Sequence, residues 1–175
     1  MESAPHGARG FELLDTESSD PEVWLSVGTR FIDYFRAADP LEQQALRDQM
    51  PPQYYGILRA FASRVACRAV QRKSIADVER GLVALALEGG RWDYRYTLMR
   101  LCLLHHSAAK LGADVDGLFR KAAALGHESG NKLLLGYLAR GQKRLEPMGF
   151  KEGVDEKGEF DCVVEGWRGD PDGSL

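Results

Sequence analysis

Twice near its start the chain sets an aspartate directly before a proline, at Asp20-Pro21 and at Asp39-Pro40. This pair is a helix start: the carboxylate accepts from the open N–H groups of the first turn, and proline at the first helical position gives up an N–H that had no partner there. Trp24, Leu25, Phe31, Ile32 and Phe35 recur at helical spacing behind the first pair and predict a helix over 21–37. The second pair opens a short helix ending near Met50, where Pro51-Pro52 interrupts the hydrogen-bond ladder. A chain punctuated in this way is committed to short helices joined by tight turns.

The same grammar continues downstream. From Tyr54 to Arg72, Leu58, Phe61, Ala62, Val65 and Ala69 fall on one arc. Ser74 and Asp77 form a capping-box-like pair ahead of Val78, Leu82 and Leu85, and Gly89-Gly90 ends that helix. Asp93 caps the next one, which runs to Lys110 and stops near Gly112. With Leu98, Leu101, Cys102, Leu104 and Ala108 on one side and Met99 and Leu103 opposite, it is expected at the centre. Asp114 opens a helix through Leu118, Phe119 and Ala122 to Gly126, and Ser129 or Asn131 opens a last one through Leu134, Tyr137 and Leu138 to Gly141; both read as cover helices. The fold expected is mainly α: a compact bundle of about seven helices, or a short α-α superhelix, over residues 20–141.

The two ends read differently. Residues 1–19 mix glycine, serine and acids without periodicity and are expected as a mobile arm in which Phe11, Leu13 and Leu14 dock locally. After Pro147 apolar residues alternate, in Met148/Phe150 with Val154 and in Phe160/Cys162/Val164, around the turn-like Asp155-Glu156-Lys157-Gly158. This period of two predicts a small C-terminal β-hairpin within 142–166, laid on the helical body because an isolated hairpin is marginal, and then a flexible tail over 167–175.

At 175 residues the chain suits one domain, burying roughly 70% of its unfolded surface. Its 23 Lys plus Arg against 26 Asp plus Glu give a net charge of −3, so nucleic-acid binding would need a local patch. Arg64, Arg68 and Arg72, with Lys73, form the one such stripe, and it reads as a solvated or salt-bridged helix edge. Cys67, Cys102 and Cys162 are widely spaced and include no CxxC, which fits thiols in a reducing compartment. The segment Met1 to Gly10 lacks the features of a signal peptide, and Val83 to Leu87 and Leu101 to Leu104 are too short to span a bilayer. A soluble cytoplasmic protein without a membrane partner is expected.

The stretch from Leu118 through Phe119, Arg120, Lys121, Ala122, Ala123, Ala124, Leu125 and Gly126 to His127, followed by Leu135-Gly136-Tyr137 and Gly141, resembles one unit of a Sel1-type helical repeat. The resemblance covers about 24 residues. Its Leu-Gly step is displaced by one residue, and the pattern has no second copy in the chain. It implies two short helices in close approach and, in arrays, concave surfaces that bind other proteins. An antiparallel helix pair explains the same residues without a family.

Two places in the sequence carry groups suited to binding or chemistry. In Glu88-Gly89-Gly90-Arg91-Trp92-Asp93-Tyr94-Arg95-Tyr96, arginine alternates with aromatics across a helix junction, the mix found where surfaces bind. Arg91, Trp92, Asp93, Tyr94 and Tyr96 are the candidate binding residues; the competing reading is a corner closed by Gly89, capped by Asp93 and stapled by Trp92. His105 is the other candidate, with Cys102 one turn before it. Two potential ligands do not make a metal site, and a mid-helix thiol among leucines lacks the electropositive setting of a nucleophile. His105 is therefore expected as a hydrogen-bonded core histidine, with no metal, no cofactor and no catalytic residue. No phosphate-binding loop, HExxH, GxSxG or paired CxxC occurs.

Every signal concerns capping and packing, which favours a non-catalytic helical module that binds another protein. One alternative is an immunity or inhibitor-type protein masking a basic partner, motivated by acids such as Glu152, Asp155, Glu156, Glu159, Asp161 and Glu165. The other is a small-ligand binder or enzyme using a cleft near the central helix and the 88–96 junction, with His105, Asp93, Glu88 and Arg91 as its polar groups.

Overall fold

The protein is described by a computed structural model covering residues 6–72, 74–89 and 94–140. Eight helices are present among them: α1 (Ala8–Leu14), α2 (Pro21–Ala37), α3 (Pro40–Asp48), α4 (Gln53–Arg72), α5 (Ile75–Glu88), α6 (Tyr94–Lys110), α7 (Val115–Leu125) and α8 (Glu128–Arg140). The architecture is mainly helical, with no strand among the described residues. The expected hairpin over 142–166 and tail over 167–175 lie outside them.

The sequence-level caps close in space as expected. Asp20 accepts from the Glu22 N–H at 2.9 Å and Asp39 from that of Glu42 at 2.9 Å. Ser74 accepts from Asp77 at 3.2 Å and Asp114 from Gly117 at 3.1 Å. At the end of α5, Gly89 turns to φ 68°, a left-handed conformation that glycine adopts without a Cβ penalty, and returns its N–H to the Leu85 carbonyl at 2.8 Å.

Three features differ from the sequence reading. Within the segment expected as an arm, α1 forms and packs on α2, with Leu14 fully buried and Phe11 stacked on Tyr54 at 6.1 Å between ring centroids. Seven residues are too few to hold a helix alone, so its order comes from docking, which local periodicity does not display. The last helix starts at Glu128, before Ser129 and Asn131, and the Asn131 side-chain amide donates to the Ala123 carbonyl of α7 at 3.3 Å.

The third difference concerns the centre, which α5 shares with α6. α5 packs against α2, α4, α6, α7 and α8, and every residue from Gly81 to Glu88 is buried. Small residues on α5 permit this. A Cβ on Gly130 of α8 would fall on the Ala86 carbonyl oxygen, and one on Gly126 would meet the same residue, so the α7–α8 pair lies almost against the α5 backbone.

Around this centre Phe31, Phe35, Phe61 and Phe119 are fully buried, each contributing about 1.5–3 kcal/mol by leaving water. Gly28 of α2 leaves room for the Phe61 ring of α4. Two ion pairs join α2 to α5 at the surface, Arg36–Glu79 at 2.9 Å and Arg80–Asp33 at 2.9 Å. No helix among the described residues is long and apolar enough to cross a membrane.

Candidate functional site

Of the residues expected to bind, Arg91, Trp92 and Asp93 lie outside the described residues. Tyr94 and Tyr96 occupy the first turn of α6. His105 lies further along the same helix and is buried. Its Nδ1 shares a hydrogen bond with the Tyr137 hydroxyl of α8 at 2.8 Å, and its ring stands edge-on to Tyr137 and Phe119. Phe119 and Tyr137 stack on each other at 5.2 Å between ring centroids.

Cys102, one turn earlier, is buried within hydrogen-bonding reach of Tyr137. Burial pushes its thiol up to about 12, while the contact with Tyr137 lowers it by less. Burial also holds His105 below its ordinary value, with His106 adding to the effect. A protonated thiol beside a neutral imidazole is a packed polar pair with little thiolate to offer. Among the described residues, no three His, Cys, Asp or Glu side chains are grouped to hold a metal ion. His127 faces Asp48 at 3.7 Å.

A surface groove lies on the opposite side of α4 from its core arc. Leu58, Phe61, Ala62, Val65 and Ala66 face inward. Gly56, Ile57, Ala60 and Ser63 form a second stripe that lines a groove of about 550 Å³, with Trp24 of α2 on one wall and Arg100 of α6 on the other. Arg59 and Arg64 complete the rim, so the described lining carries three guanidinium groups and no carboxylate.

The groove's polar groups are held in place from below. Arg100 is buried, and its Nε donates to the Ser63 hydroxyl, which itself donates to the Arg59 carbonyl at 2.9 Å. The Trp24 indole N–H donates to the Ser18 carbonyl at 2.7 Å, which fixes the ring. Arg64 pairs with Glu22 just outside the lining at 3.2 Å, giving one member of the arginine stripe an acidic partner.

Gly56 is the odd member of this surface. Cβ atoms added at Gly10, Gly28 or Gly130 would collide with neighbours, whereas one at Gly56 meets nothing within 4 Å. Internal packing does not require a glycine there, yet a helical glycine costs about 0.5–1 kcal/mol relative to alanine. Its effect is to leave the floor of the groove bare.

The sequence reading did not find this groove. The available signal was the secondary stripe Gly56/Ile57/Ala60 beside Arg59 and Arg64, visible only after the core arc has been set aside. Arg100 was hidden within a helix read as apolar on nearly every side.

A second depression, between α2 and α7, is lined by Asp33, Arg36 and Lys121. It is shallower and carries both charge signs. Comparison with family models, curated proteins and solved structures finds no match for this chain.

Proposed function

We propose that this chain is a non-catalytic helical module that binds another protein through the groove between α2, α4 and α6. The observation that carries the reading is the pairing of a fixed indole, Trp24, with three arginines over an apolar floor. Tryptophan and arginine dominate binding energies at protein interfaces because each joins a large contact area to directed donors. Ordering these side chains in advance reduces the entropy lost on association. Arg91 and Trp92, just before α6 in sequence, and Tyr96 in its first turn remain candidates for the same partner.

His105 and Cys102 have a structural role in this reading. The imidazole is hydrogen-bonded to Tyr137 and set edge-on to Tyr137 and Phe119, and the Cys102 thiol also reaches Tyr137, so the pair serves to key α6 to α8.

A photo-crosslinking amino acid placed at Gln53, which is exposed at the groove, tests the assignment in cells. The expected result is one dominant protein adduct that is missing when the same residue is placed at Leu41, on α3 and 63% exposed. Equal adducts from both positions, or none from Gln53, overturn it.

A further inference from the structure

We infer that the docking of α1 controls the shape of the groove between α2, α4 and α6: while α1 lies on α2, the linker behind it holds the Trp24 indole as one wall, and release of α1 frees that ring. As a control on binding this rests on the protein-binding reading; the coupling itself is a property of the chain alone.

α1 is ordered by its neighbours. Seven residues are marginal as a helix, and the N-cap is Gly7, which has no side chain to close the first turn. Glu42 of α3 supplies the closure, one carboxylate oxygen accepting from the Gly7 N–H and the other from the Tyr34 hydroxyl of α2 at 2.6 Å. Gly10 lets the helix lie against Leu46 and Tyr34, Phe11 stacks on Tyr54, and Leu14 is fully buried at the far end. These ties run to α2, α3 and α4, so losing them removes the order of α1 as one unit.

Residues 15–20 alone separate α1 from α2. Within them the Ser18 N–H donates to Thr16 Oγ1 at 3.2 Å and the Asp20 N–H to Ser18 Oγ at 3.1 Å. These turns carry the position of Leu14 through to the Ser18 carbonyl, which accepts from the Trp24 indole N–H at 2.7 Å. Trp24 lines the groove and is half-buried. An indole has a single N–H donor, so with Ser18 displaced it turns to water and the wall loses its fixed orientation.

The test uses the full-length chain carrying Trp92→Phe and Trp167→Phe, which leaves Trp24 as the sole tryptophan. Two further variants loosen α1 from opposite sides. Gly10→Val acts on α1 itself, where even a Cβ would meet Leu46 at 2.5 Å, and Glu42→Ala removes the closure from α3. Release of α1 is read by trypsin cleavage after Arg9, which is exposed on the helix, and the state of Trp24 by acrylamide quenching of its fluorescence. In both variants cleavage should rise at least about tenfold and the quenching constant at least about twofold, with the helical circular dichroism of the body retained. Tyr137→Phe, which weakens the α6–α8 tie far along the chain, should leave quenching unchanged.

Faster cleavage with unchanged quenching would mean that the linker holds the ring without α1, and overturns the inference. Unchanged cleavage in both variants, or loss of the whole fold in both, would make α1 inseparable from the body and overturns it equally. A rise in quenching on Tyr137→Phe as large as on Gly10→Val would mark general loosening and also sinks the coupling. All of these readings are taken without a partner, so they stand apart from the crosslinking result at Gln53.

Discussion

The Nδ1 of His105 on α6 and the hydroxyl of Tyr137 on α8 lie 2.8 Å apart in the interior, tying together two helices that make few other close approaches. Removing one partner from a buried pair leaves the other without its hydrogen bond, at a cost of about 1–3 kcal/mol. Tyr137→Phe keeps the stack on Phe119 and deletes only the hydroxyl, so it should lower stability by about 1–2 kcal/mol in urea titrations. A neutral result would mean the hydrogen bond contributes nothing net.

The same histidine gives stability a pH dependence. Burial, and then His106, depress the folded value of His105 below the ordinary 6.5; burial and Lys110 act likewise on His106. The unfolded chain therefore takes up protons first. The stabilising effect of the neutral rings is complete above the ordinary value and is lost as pH falls through it toward the folded values. The urea midpoint should be level between about pH 8 and pH 7 and decline below about pH 6.5. His105→Gln should flatten that decline, and an unchanged slope would place its origin elsewhere.

Cys102 should resist chemistry while the protein is folded. With its thiol pushed up to about 12 by burial, little thiolate exists at neutral pH. In a Cys67→Ser, Cys162→Ser background, an alkylating reagent should label Cys102 only as fast as the protein opens, with the rate rising sharply in denaturant. Fast labelling of the native state would show that the thiol is accessible.

Two glycines in helices should respond in opposite directions to the same substitution. Gly130→Ala drives a methyl group onto the Ala86 carbonyl oxygen and should cost about 2 kcal/mol or more, because backbone on both sides must move. Gly56→Ala enters open space and should raise stability by about 0.5–1 kcal/mol through helix propensity alone. Thermal denaturation of the two variants decides the matter, and a shared sign would refute it.

Leu14 tests whether α1 belongs to the body. It is fully buried although its helix has seven residues. Leu14→Ala should cost about 2–4 kcal/mol, the range for a core leucine, whereas removal of a loosely attached segment would cost almost nothing. Urea denaturation distinguishes the two.

Helix boundaries were largely legible in the sequence because capping is local chemistry. Asp20, Asp39, Ser74 and Asp114 each satisfy an N–H two or three residues away, so their role does not depend on the rest of the fold. Asn131 departs from this pattern, since its side chain reaches across to α7. The arc Leu58, Phe61, Ala62 and Val65 was equally readable, because a buried face repeats at the helical period. His105 was read as a hydrogen-bonded core histidine and sits as one, but its partner Tyr137 is 32 residues away and no spacing rule selects it.

The sequence by itself determined where the main helices start and stop and which faces turn inward, since both depend on contacts within a few residues. Only the tertiary structure decided that residues 8–14 form a helix on α2, that α5 shares the centre and that Gly56, Trp24 and Arg100 border one groove. Those outcomes rest on which helices lie side by side. That choice is set by the fit of small residues such as Gly130 and Ala86 across long separations in the chain, where local periodicity carries no information.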